Sequence, residues 1–197
     1  MPYPSQVDKI AIVEQARVLI EAEGVDALSL TKLASALGVK APSLYRYVKN
    51  KAELLAEVSF LTFTRLVESL DPAKSSIEEP LNSTLADSIE KLVAITQKYR
   101  NFAQANPRTY VLAFTAENRG DEKQLVQLIV PVQRVVAQVV PAKELRAALR
   151  GFMGLLHGFV MLEIHNQLPR GGDLGGDHEK AVRAYFVGWK SEGATKE

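Results

Sequence analysis

The chain has 197 residues, 24 Lys and Arg against 23 Asp and Glu for a formal charge of +1, 47% hydrophobic residues and no cysteine. That length supports one or two domains with a sizeable core, and the missing cysteines exclude disulfides, thiolate metal sites and a cysteine nucleophile. No apolar stretch is expected to reach the roughly 20 residues that cross a bilayer, and MPYPSQVDKI shows no basic head followed by an apolar run, so a cytoplasmic protein with no membrane partner is expected.

The apolar spacing is helical almost throughout. In KIAIVEQARVLIEAEG, Val13, Ala16, Leu19/Ile20 and Glu23 step by three or four, and Gly24 closes the stripe. Ser29 is placed to cap a second short helix carrying Leu30, Leu33, Ala34 and Leu37, which Gly38 stops. Pro42 suits the first turn of a third helix, 42–48. Asn50, with Glu53 three residues on, opens a fourth helix that runs to Asp71-Pro72. DPAKSSIEEP, 71–80, reads as a linker.

The second half continues in the same style. Expected helices are 80–105, ended by Asn106-Pro107; 108–116, followed by the turn NRGDE; 122–140, interrupted at Pro131; 143–168; and 177–190, after the loop PRGGDLGG. No alternating strand pattern and no internal repeat is visible, so the fold class is all-α.

Charge is unevenly placed along this neutral chain. Between Asp26 and Glu53 there is no acidic residue, while Lys32, Lys40, Arg46, Lys49 and Lys51 all fall there. A local basic patch is the footprint expected of a face that meets phosphate, although a solvated face without a partner has the same composition. Spacing within TKLASALGVKAPSLYRYV adds more. Ala34 is small where two helices approach, Gly38 sits at the turn, and Val39 plugs it. Leu44 and Val48, four apart, anchor the next helix inward. Lys40, Ala41, Ser43, Tyr45, Arg46, Tyr47 and Lys49 are left to project outward or flank the helix. A scaffold face of aliphatics behind an outer face of donors and aromatics is what a DNA recognition helix needs.

The run SLTKLASALGVKAPSLYRYVKNKAELLAEV resembles the DNA-binding domain of the tetracycline-repressor (TetR) family, over about residues 8–60. The resemblance implies an N-terminal three-helix module with a helix-turn-helix, 1–52, on a larger helical domain, 53–197, that dimerises and binds a small effector. It also implies DNA contacts: Ser43 and Tyr45 at the start of the recognition helix, Tyr47 on backbone or a base edge, Lys51 and Thr31 on phosphate. Lys40 and Ala41 flank the base-facing surface, where Ala41 offers only a methyl contact to thymine. The expected function is a regulator, most simply a repressor released from a pseudo-palindromic operator by an effector; the alternative is an effector-independent or activating regulator.

LRGFMGLLHGFVMLE resembles a TetR-like C-terminal domain with an aromatic-x-W-x-x-x-H-G core, through Phe152 and His157-Gly158, with Met153 or Gly154 near the usual Trp. The helices 143–168 and 177–190 are the expected dimer surface. Ala147, Ala148, Gly151, Gly154 and Gly158 favour close approach, either between subunits or within one. Expected lining for a largely apolar effector is Phe63, Tyr99, Phe102, Tyr110, Phe114 and Val135, with His157 as a polar contact; each serves a plain core equally well.

An enzyme is the rival class. The histidines, His157, His165 and His178, form no H-E-x-x-H pattern. RGGDLGG lacks a preceding strand and the dinucleotide-binding spacing, and no serine elbow is present. No catalytic residue, metal or cofactor is expected.

Overall fold

The computed structural model describes residues 7–70, 84–115, 122–169 and 171–193, with side chains outside 122–128 and 190–193. Its elements are α1 Lys9–Glu23, α2 Leu30–Ala36, α3 Ala41–Leu44, α4 Lys51–Leu70, α5 Leu85–Ala105, α6 Pro107–Thr115, α7 Glu122–Ala137, α8 Leu145–Ile164 and α9 Leu174–Gly193. The fold is all-helical among the described residues. The expected linker 71–80 and most of the NRGDE turn lie outside them.

The helix starts follow from local chemistry. Asp8 accepts from the Ala11 N–H at 2.7 Å and Ser29 from the Lys32 N–H at 3.1 Å, each satisfying a donor that has no partner inside the helix. Ahead of α5, Thr84 and Asp87 cap each other: the Thr84 N–H donates to Asp87 at 2.7 Å and the Asp87 N–H to the Thr84 hydroxyl at 3.2 Å. Buried Ser59, Thr62 and Thr96 return their hydroxyls to carbonyls one turn back, at 2.8, 2.8 and 2.9 Å.

Three expectations are corrected. α9 begins at Leu174, so the last residues of PRGGDLGG are helical; Asp173 precedes the first turn, its carbonyl accepting from the Asp177 N–H at 2.9 Å. α8 is shorter than 143–168. It is nevertheless long and apolar enough to cross a membrane by length and composition, against the expectation that no such stretch exists; only 22% of that window is buried.

The chain divides into two compact units, Met1–Arg65 with Asn106–Leu125, and Leu66–Ala105 with Val126–Glu197. In the first, Ile12, Val13, Ala16 and Ile20 of α1 form one core with Leu33, Ala34, Leu44, Val48, Leu54, Val58 and Leu112. Each fully buried aliphatic side chain there is worth about 1.5–3 kcal/mol over exposure. Glu14 ties α1 to α4 and to its own next turn: burial pushes its carboxyl up, but Arg17 and Arg65 together outweigh that and hold it below the usual range.

In the second unit α5, α8 and α9 pack on one another. Phe152 meets Phe186 edge-on at 4.9 Å, and Tyr185 meets Trp189 at 6.0 Å. Arg100 of α5 donates to Glu163 of α8 at 2.8 Å, and Arg183 of α9 to Glu90 of α5 at 2.7 Å. His178 is buried and stacked on Phe159 at 4.2 Å, and its Nε2 has no hydrogen-bond partner among the described residues.

Candidate nucleic-acid interface

α2 ends in a turn that only its sequence explains. The Val39 N–H reaches back to the Ala34 carbonyl at 2.9 Å and the Gly38 N–H to the Ser35 carbonyl at 3.1 Å, a Schellman closure. That geometry requires a left-handed residue, and Gly38 supplies φ +67. Val39 then packs on the core as a plug. The chain emerges into α3 with Lys40 as its N-cap residue and Pro42 in the first turn.

The recognition segment is shorter than the expected helix 42–48. α3 covers Ala41–Leu44, and residues 45–47 are a turn in which the Tyr47 N–H bonds to the Leu44 carbonyl at 2.9 Å. Leu44 and Val48 are both only 1% exposed, so burying this pair across so short a span sets the attitude of everything between them. Asn50 and Glu53 then open α4 as expected: the Glu53 N–H donates to Asn50 at 2.9 Å, while Glu53 accepts from the Lys49 N–H at 2.6 Å.

The proposed contact residues fall along this α2–turn–α3–α4 path. Thr31 is exposed on α2, Lys40 is exposed, and Ala41 and Ser43 are half-buried. Tyr45 stands out at 57% exposure, while Tyr47 is half-buried with its ring on the core side. Lys51 is half-buried at the first residue of α4.

The basic patch is partly neutralised. Lys32 pairs with Glu23 of α1, whereas Lys40, Arg46, Lys49 and Lys51 make no salt bridge among the described residues. Arg46 holds its guanidinium 5.7 Å from the centroid of the Tyr47 ring. Arg46, one of the residues expected to project outward, is exposed.

Of the proposed effector-lining residues, the structure gathers Phe63, Tyr110 and Phe114 in the first unit, with Tyr110 to Phe114 at 4.8 Å and Phe63 to Phe114 at 6.0 Å. Tyr99 and Val135, buried, and Phe102 and His157, half-buried, belong to the second.

Comparison with known proteins agrees with this geometry. Residues 12–58 match the model of bacterial regulatory proteins of the tetR family, and 92–185 match the tetracyclin repressor-like C-terminal domain. The chain belongs to the TetR family. The HTH-type transcriptional regulator YobS of Bacillus subtilis is 27% identical over 180 residues, 90% of each chain. Among solved structures, a Rhodococcus sp. RHA1 protein superposes with TM-score 0.75 at 20% identity, covering 95% of this chain and 99% of that one. A single-substitution variant of TetR from Acinetobacter baumannii AYE, solved in complex with minocycline, gives TM-score 0.68 at 20% identity over 94% of this chain and 98% of that one. This TetR-family protein is a DNA-binding transcriptional regulator, and the path from Thr31 to Lys51 lies within the matched DNA-binding region.

Proposed function

We propose that the protein is a cytoplasmic repressor that binds a pseudo-palindromic operator as a homodimer and leaves it when a small, largely apolar effector binds. Residues 1–52 form the DNA-binding domain and 53–197 the effector and dimerisation domain. The observation that carries the reading is the recognition segment: a glycine-closed turn, the buried anchors Leu44 and Val48, exposed Tyr45 between them, and half-buried Ser43 just ahead of Leu44 beside exposed Lys40. Ser43 and Lys40 read bases, with Ala41 available to a thymine methyl. Thr31, Tyr47 and Lys51 hold the backbone, and Arg46 joins them.

The dimer surface is α8 with α9. Met153 and Leu162 of α8 are each 41% exposed and Val187 of α9 is 56% exposed, so both helices carry apolar side chains that a second subunit would cover. Among the described residues a Cβ added at Gly154 or Gly158 meets nothing within 4 Å, which leaves room for a second helix to lie close. A two-fold axis there presents two recognition segments to successive major grooves, roughly 34–36 Å apart.

Effector response is supported by family membership, and minocycline in the Acinetobacter regulator is an example from a protein of the same fold. α4 runs from the recognition segment to residue 70, and the effector acts through it by favouring one spacing of the two segments over another. The test begins with duplexes selected from a random pool by the dimer, followed by a thermal-shift screen of small apolar ligands. A ligand that raises the melting temperature and lowers operator affinity is expected. Failure of every stabilising ligand to change that affinity would overturn the effector clause and leave an effector-independent or activating regulator.

A further inference from the structure

Two helices of the first unit cap each other through side chains 87 residues apart in sequence. The Glu21 carboxylate of α1 accepts from the Arg108 N–H at 3.1 Å, the Thr109 N–H at 2.9 Å and the Thr109 hydroxyl at 2.7 Å, all in the first turn of α6. In return the Arg108 guanidinium donates to the carbonyls of Glu21 at 2.9 Å and Ala22 at 2.5 Å, in the last turn of α1. An anion thus sits at the N-terminus of α6 and a cation at the C-terminus of α1, each complementing a helix dipole, and the bonds are charge-assisted. Thr109 is fully buried, so its hydroxyl has no water to fall back on.

The location gives the clamp its meaning. α1 carries Ile12, Val13, Ala16 and Ile20 into the core that seats Leu44 and Val48, so α1 and the recognition segment share one core. α6 follows α5 after the single residue Asn106, and α5 packs on α8 and α9 in its own unit. Within the first unit, Arg17 of α1 also donates to the side chain of Asn106, the residue ahead of α6, at 3.0 Å.

We propose that Glu21 is a positioning residue for operator binding: its clamp on Arg108 and Thr109 fixes the attitude of the recognition segment to α6, so that the two segments of a dimer engage two half-sites together. The proposal rests on the dimeric DNA-binding reading above. A dimer gains on a full operator because the second half-site is engaged at high effective concentration, and that gain shrinks when the geometry is loose. Looseness at α1 and α6 leaves each recognition segment intact and spreads the separation between the two. Binding to one half-site therefore survives and the two-site advantage does not.

The experiment compares full-length wild type, Glu21→Ala, Glu21→Gln and Thr109→Val on a selected operator duplex and on a duplex carrying one half-site. Glu21→Ala is expected to lose about tenfold on the full operator with single-half-site affinity unchanged. Glu21→Gln, which keeps one acceptor oxygen, recovers part of the loss, and Thr109→Val falls between. Unchanged affinity of Glu21→Ala for the full operator, or equal weakening on both duplexes, would overturn the proposal. Should Glu21→Ala fail to fold, Arg108→Ala, which removes only the contacts to the α1 carbonyls, is judged by the same two outcomes. Wild type that binds no selected duplex would overturn the DNA-binding reading itself, a result distinct from a wild type that binds and a clamp variant that binds equally well.

Discussion

The Tyr185 hydroxyl of α9 donates to the Ala148 carbonyl of α8 at 2.7 Å, directly over Gly151. A Cβ on Gly151 would come 2.4 Å from that hydroxyl oxygen, so the two helices approach this closely only because position 151 has no side chain. Of the small residues on α8, then, Ala148 and Gly151 serve packing within one subunit, while Gly154 and Gly158 face open space.

Gly151→Ala and Gly154→Ala should part company. Alanine improves a helix interior by about 1 kcal/mol, but at 151 it displaces a ring held by a hydrogen bond and by Phe152, a forced repacking costing about 1–3 kcal/mol. Gly151→Ala is expected to lower the urea midpoint, and Gly151→Ala with Tyr185→Phe to recover part of the loss. Gly154→Ala and Gly158→Ala leave the subunit's fold intact and weaken the dimer. Sedimentation combined with denaturation distinguishes these cases; a dimer unaffected at 154 and 158 would remove α8 from the interface.

Acidification should destabilise the second unit through His178. Burial, then the nearby positive charge of Arg100, holds its pKa below the ordinary value of 6.5, with Glu163 acting weakly the other way. The unfolded chain therefore takes up the proton first, so stability is complete above pH 6.5 and is lost as pH falls below it towards the folded-state value. Urea midpoints at pH 7.5 and 5.5 should differ in wild type and differ less in His178→Leu. An equal fall in both proteins would assign the effect to other groups.

The recognition segment was readable from sequence because its determinants are local. Gly38 acts within its own turn and Asn50 with Glu53 within one helix start, so spacing alone predicts them, and Leu44 and Val48 announce a buried face by their four-residue spacing although their core partners lie on α1 and α4. The length of α3 was misjudged because the outward tyrosines carry no periodicity against which to test helix continuation, and the chain tightens after Leu44. Distant partnerships were invisible. Nothing in the neighbourhood of Lys32 shows that Glu23 neutralises it, and nothing near Glu21 announces donors on α6. The start of α9 was missed for a related reason: glycines at 175 and 176 read as a loop, yet they leave room for the Asp173 side chain beside the first turn.

At the interface itself, Lys51→Ala should weaken operator binding and reduce the slope of log affinity against log salt by roughly one unit per subunit, since it removes one phosphate contact. Tyr45→Ala should weaken binding with the dimer unchanged. Filter binding or fluorescence anisotropy across a salt series reads both, and unaltered affinity in both variants would remove these residues from the contact set.

Gly38→Ala tests the turn separately from the contacts. A Cβ there meets nothing within 4 Å, so the whole cost is the left-handed backbone, about 1–2 kcal/mol. A lower melting temperature is expected, with operator affinity largely kept at a temperature where the protein is folded. A loss of affinity in the folded variant would mean that the turn also touches DNA.

In the proposed dimer, two recognition segments read two half-sites on one face of the duplex. This arrangement is tested most directly by titrating wild type against a selected operator and against the same operator with about five base pairs inserted at its centre, half a helical turn. The insertion is expected to reduce affinity to that of a single half-site, and about ten inserted base pairs, which restore the face but not the distance, are expected not to bring it back. Equal affinity for the parent and five-base-pair duplexes would contradict it.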